Sequence, residues 1–239
     1  MTDAPATLEV GEVPVLLRGE PEAIQARIEQ PTSGRVFLYV ATIMIGAGLY
    51  GAAMGCWRAP TQALYTAIKF PLILLLTTLG NALLNAMLAP LLGLNLSFRQ
   101  SLLAILMSFT IAAAILGSFS PFMFFLVWNT PPMTNGASLS STAYSLVQLS
   151  QVAVIAFAGV AANVRLLQLL RRLSGSPAVA RKLLCGWLAG NLLLGTQLTW
   201  ILRPFIGSPH LPVEFLRPNA FQGNFGETVF RSLKHLLSS

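Results

Sequence analysis

FPLILLLTTLGNALLNAMLAPLLGL, residues 70–94, decides how the rest of the chain is read. It carries no charged side chain over 25 residues, which as a helix is enough to cross roughly 30 Å of hydrocarbon. A bilayer leaves backbone groups no water to bond, and the run lacks the alternation of a barrel strand, so a helix is the expected form. Comparable apolar segments lie at 36–56, 101–128, 141–164 and 183–202. The expectation is therefore an all-α, polytopic transmembrane helical bundle of five spans over residues 36–202. A cytosolic tail, 1–35, and an outer tail, 203–239, flank it.

Composition agrees. Of 239 residues, 54% are hydrophobic and 10% charged, against about a quarter charged in a soluble domain. Asp3, Glu9, Glu12, Glu20, Glu22 and Glu29 precede the first apolar run, Glu214 and Glu227 follow the last, and nothing acidic lies between. A span that works on protons or cations usually keeps an intramembrane acid despite a cost of roughly 2.5–3.5 kcal/mol. The formal charge of +7 does not point to nucleic acid, because the basic residues bracket apolar runs; membrane lipid phosphates are their expected partners.

The first 35 residues lack the basic leader and cleavage pattern of a signal peptide and read as a mature cytosolic tail. Within it, Glu20-Pro21-Glu22 opens an expected short helix through Glu29. Arg35, Arg99, Arg171, Arg172, Arg181 and Lys182 fall on one side of the spans, and Arg58, Lys69 and Arg203 on the other. The positive-inside rule then places the N-terminus in the cytosol of a cytoplasmic membrane and the C-terminus outside; Arg217, Arg231 and Lys234 in the tail run against it. Cys56 and Cys185 fall at opposite ends of their spans, cannot pair within one chain, and read as small apolar residues.

Small residues spaced by four mark close helix contacts: Ala47, Gly51 and Gly55 in the first span, Gly186 and Gly190 in the last. These seams suit packing within one chain or a homo-oligomer. Amides recur at helical spacing: Asn81 and Asn85, Gln148 and Gln151, Asn191 and Gln197. Each must find a partner away from lipid, either across helices or along a polar path or pocket. Pro71, Pro90 and Pro121 are expected to kink or end helices. Lys69 reads as an anchor whose ammonium reaches the headgroups, with a buried functional lysine as the alternative.

Arg203 stands between Trp200 and Pro204 where the last span ends. It either snorkels to lipid phosphate or pairs with Glu214 or Glu227, locking an outer tail that folds back through Leu211, Val213, Phe215 and Leu216. Further on, Phe225, Val229, Phe230, Leu233 and Leu237 recur as in an amphipathic helix. His210 and His235 are isolated, no metal-ligand spacing occurs, and no catalytic motif or cofactor signature is present. An enzyme would need Arg203, His210 and Glu214 around an outer pocket.

The stretch AIKFPLILLLTTLGNALLNAMLAPLLGLNLSFRQSLLAILMSF, residues 67–109, resembles the bacterial branch of the Yip family, the Rab-interacting five-span membrane proteins. The likeness lies in Lys69-Phe70-Pro71, Gly93 and Ser97-Phe98-Arg99. It implies a cytosolic N-terminus followed by five spans and transfers no functional residue. The function expected from the sequence is a non-catalytic scaffold or accessory subunit of a membrane complex with a protein partner. The alternative is a small transporter or channel for a neutral or anionic solute, its path lined by the amides.

Overall fold

The computed structural model describes residues 12–18, 32–91, 97–131, 141–207, 212–224 and 226–227. Among them the regular elements are helices: α1 (Glu12–Arg18), α2 (Ser33–Cys56), α3 (Pro60–Leu91), α4 (Phe98–Trp128), α5 (Ser141–Ser174) and α6 (Pro177–Leu202). Among the described residues four helices, Ser33–Cys56, Pro60–Leu88, Phe98–Trp128 and Ser145–Ser174, are long and apolar enough to cross a membrane. Helix α6 has 26 residues, about 39 Å, but Asn191, Thr196, Gln197 and Thr199 interrupt its apolar run.

Local chemistry sets the ends. Helix α3 opens on Pro60, ten residues before the expected start of that span, because a first-turn proline has no needed N–H to lose. Ser97 and Gln100 form a capping box at the start of α4: Ser97 Oγ accepts from Gln100 N at 3.3 Å, and Gln100 Oε1 accepts from Ser97 N at 3.0 Å. The basic connection left between the expected spans at 141–164 and 183–202 is mostly helix. Helix α5 continues to Ser174, Gly175 takes φ +61°, and Ser176 caps α6 with Pro177 next. Only glycine adopts that left-handed conformation without strain, so the connection closes in two residues.

Of the kink or helix end expected at each proline, α3 ends one residue beyond Pro90, while the helices run on through Pro71 and Pro121. Pro71 and Pro90 lie inside α3 and Pro121 inside α4. At Pro121 the lost backbone donor leaves the Gly117 carbonyl free, and Ser120 Oγ donates to it at 2.6 Å. The expected helix over Glu20–Glu29 lies outside the described residues, as does most of the expected amphipathic helix beyond Phe225. The described N-terminal helix is α1, whose Leu16 is fully buried in the main core. Arg165 Nη2 of α5 donates to the Leu17 carbonyl at 3.2 Å and ties down its end.

Helix α2 packs on α3 and α4, α4 on α5, and α6 on α3 and α5. Helix α4 is the centre, with 56% of its apolar window buried; α5 shows 28% and presents Leu149, Val152, Phe157 and Val160 outward. Close backbone approach explains the small residues. A Cβ on Gly51 would lie 2.5 Å from the Thr66 carbonyl oxygen, and one on Gly55 2.5 Å from that of Gln62. Gly46, outside the expected seam, meets the Ala113 carbonyl oxygen at 2.2 Å by the same measure. Ala47 is fully buried between these contacts. The seam of α2 therefore joins helices of one chain.

The bundle has two chemically different ends. Trp57 shares a small apolar cluster with Val127 and Val147, donates through Nε1 to the Pro131 carbonyl at 3.0 Å, and lies at the same end as Trp200. At the opposite end Arg171, Arg172, Arg181 and Lys182 flank the α5–α6 turn.

Candidate functional site

At the tryptophan end α3 presents Gln62, Thr66 and Lys69, spaced i, i+4, i+7 on one face. After Leu202 the chain passes a cis Arg203–Pro204 peptide bond, and residues 204–207 lie over α3 as a strap. The Pro204 carbonyl accepts from Gln62 Nε2 at 3.0 Å and Lys69 Nζ at 3.1 Å. The Phe205 carbonyl accepts from Gln62 Nε2 and from Thr66 Oγ1, each at 2.8 Å. All three donor residues are 0% exposed. Strap carbonyls in apolar surroundings need donors, and α3 supplies two to each.

Lys69 is thus not an anchor reaching outward. Its ammonium lies 5.0 Å from the Phe215 ring and 6.0 Å from those of Tyr65 and Phe205. Tyr65 and Phe215 meet edge to face at 5.4 Å, so the segment after the strap folds back on α3 as expected for Phe215. Ring faces attract a cation, most strongly where water is excluded. Sequence reading missed Gln62 and Thr66 because they precede the apolar run. Pro60 followed by their spacing with Lys69 is the signal that would have found them.

The lock expected of Arg203 is built differently. Its Nη1 donates to the Trp200 carbonyl, and its guanidinium carbon lies 3.6 Å from the Trp200 ring centroid. Burial, and then the charge of Arg217, lower its pKa from the ordinary guanidinium value. The charge acting on it is a cation's, and among the described residues no ion pair joins it to Glu214 or Glu227. The side chain folds back onto the last turn of its own helix, leaving the tail to be held by α3. Glu214 is half-buried, and the Glu227 backbone N–H donates to Asn224 Oδ1 at 2.8 Å. Trp200 Nε1 donates to the Gln222 carbonyl at 3.3 Å, a second tie on the tail.

Midway along the bundle the amides separate into two groups. Asn81 Nδ2 donates to Asn191 Oδ1 at 2.6 Å and to the Trp187 carbonyl at 3.0 Å, and Asn85 Nδ2 donates to Asn81 Oδ1 at 3.2 Å. Asn81 and Asn85 are 0% exposed. Gly190 makes room for this bridge, since a Cβ there would lie 2.5 Å from Asn81 Oδ1; Gly186 has looser contact, 3.8 Å from Leu88 Cδ1. Gln148, Gln151 and Gln197 do not join them. Gln148 is exposed on α5 and Gln197 is half-buried. Gln151 is buried, its carbonyl accepting from Tyr50 Oη at 3.2 Å.

Cys56 and Cys185 are free thiols on different helices. Among the described residues no three His, Cys, Asp or Glu side chains group as metal ligands, and His210 and His235 lie outside those residues. No family model matches this chain, and no curated protein or solved structure matches it significantly.

Proposed function

We propose that α2 to α6 form a five-span bundle in a cytoplasmic membrane, a non-catalytic scaffold or accessory subunit of a membrane complex. The arginine end would face the cytosol and the strap the outside. The observation that carries the reading is the Asn81–Asn191–Trp187 bridge. Amides that hydrogen-bond across a contact as tight as the one at Gly190 join helices; a hydrated path would leave them facing open space. The length of α6 and its packing on α3 and α5 support the fifth span. The exposed apolar face of α5 is the surface for lipid or a partner subunit, and the Yip-like stretch at 67–109 fits the same arrangement.

Purification in a gentle detergent followed by mass spectrometry tests it. A companion protein in fixed stoichiometry is the expected result. A chain that purifies alone and moves an anion or neutral solute across liposomes would replace this reading with transport, which the buried Lys69 near one mouth favours. A cysteine placed at Gly175 in a Cys56→Ser/Cys185→Ser background should react with a membrane-impermeant maleimide from the cytosolic side alone.

A further inference from the structure

Behind the strap, on the α5 side, lies a cavity of about 460 Å³. Phe70 and Ile73 of α3, Val152 and Ile155 of α5, and Phe205 of the strap give it apolar walls. Gln148, Gln151 and Thr199 are its polar side chains, and none of the described residues lining it is charged. Val152 is 57% exposed and marks a mouth on the outward surface of α5. Gln151 is 2% exposed, and its Nε2 is buried without an acceptor.

A buried N–H donor without a partner is costly and calls for an acceptor. The volume lies within the few hundred to 1,000 Å³ of small-ligand sites, which combine apolar walls with a few placed polar groups. Uncharged walls disfavour a carboxylate or phosphate, whose charge would be buried unpaired. We propose that this cavity binds an uncharged, carbonyl-bearing lipid-soluble molecule, its carbonyl accepting from Gln151 Nε2 once that side chain turns its amide into the cavity, and its apolar body lying against Ile73, Val152 and Ile155. That carbonyl comes either from the ester of a diacyl glycerolipid or from the ring of an isoprenoid quinone. The proposal rests on the membrane reading only in that its mouth opens towards lipid.

Gln151 is held to α2 through its backbone carbonyl, so Gln151→Leu removes the donor and leaves that contact. The full chain, purified and delipidated, is photolabelled with a diazirine-acyl diacylglycerol and, separately, with an azido-quinone; a diazirine-bearing palmitate is the anionic control. Labelled peptides are mapped by mass spectrometry. Saturable labelling of the peptides holding Ile73 and Val152–Ile155 by one of the two neutral probes is expected, and which probe does so names the source. Gln151→Leu should weaken it about tenfold, the worth of one hydrogen bond, and Val152→Trp should block it from the exposed rim. The proposal is overturned if neither neutral probe labels these peptides saturably, if palmitate labels them more tightly, or if Gln151→Leu retains the parent affinity. Should that variant fail to fold, unchanged labelling of Val152→Trp overturns it equally. Alkaline carbonate extraction of the same preparations reports separately on membrane insertion.

Discussion

The two strap carbonyls share their donors in a way that makes a specific energetic demand. Pro204 O is served by Gln62 and Lys69, and Phe205 O by Gln62 and Thr66. Gln62→Leu alone takes one donor from each carbonyl but leaves each a partner, so the cost is that of ordinary net hydrogen bonds, about 0.5–1.5 kcal/mol apiece. Lys69→Met likewise leaves Pro204 O bonded to Gln62, and it removes a buried ammonium whose desolvation itself opposes folding. Combining the two changes the situation, because Pro204 O then has neither donor. An unsatisfied buried carbonyl adds about 1–3 kcal/mol, and this excess belongs to the pair. Hydrogen exchange at the Phe205, Ile206 and Gly207 amides, in lipid nanodiscs, gives the free energy of strap opening for the parent, both single variants and the double. The expected coupling is about 1–3 kcal/mol. The control is Thr66→Val with Lys69→Met, which strip different carbonyls and should add to within about 0.5 kcal/mol. Additivity in the Gln62/Lys69 cycle would refute the shared-donor account of the strap.

Arg203→Ala should leave strap exchange close to the parent's while increasing exposure of Trp200, read as a shift in its fluorescence, because the guanidinium stacks on that ring. Asn81→Leu removes the bridge to Asn191 and Trp187; at about 0.6 kcal/mol per intramembrane hydrogen bond, unfolding in mixed micelles should show a loss of about 1–2 kcal/mol. Gly46→Ala puts a methyl against the Ala113 carbonyl and should cost about 1–3 kcal/mol or more in the same assay. Gly159→Ala, with nothing within 4 Å, should be stabilising by up to about 1 kcal/mol through helix propensity.

Helical class and the apolar cores of the spans were legible because a run such as 70–94 permits one form in lipid. Boundaries were less so, since Pro60, Ser97 and Ser176 start helices several residues before the apolar residues begin. Asn81, Asn85 and Asn191 announced that partners were needed, and the contact at Gly190 decided which kind. Lys69 was misread because an isolated lysine beside an apolar run looks the same whether it points to headgroups or to a carbonyl 135 residues away. For Arg203 the sequence left lipid phosphate or a carboxylate as partner, and an indole three residues back was nearer than either acid. The partner of a charge depends on where the chain turns, and that is not written at the charge itself.

The glycines of α2 bear on how this bundle can move. Gly51 and Gly55 seat it against α3, and Gly46 seats it against α4 near Gly117. Turning or sliding α2 by a single position would replace a hydrogen with a side chain at each notch, as when a gear skips a tooth. Helices α2, α3 and α4 must therefore travel as one block. A Cβ on Gly159 of α5 would meet nothing within 4 Å, and one on Gly186 of α6 only the tip of Leu88 at 3.8 Å. Helix α6 is keyed to α3 at Gly190 and its bridge to Asn81, so any opening between two conformations has its slip plane along α5, the side on which the cavity lies.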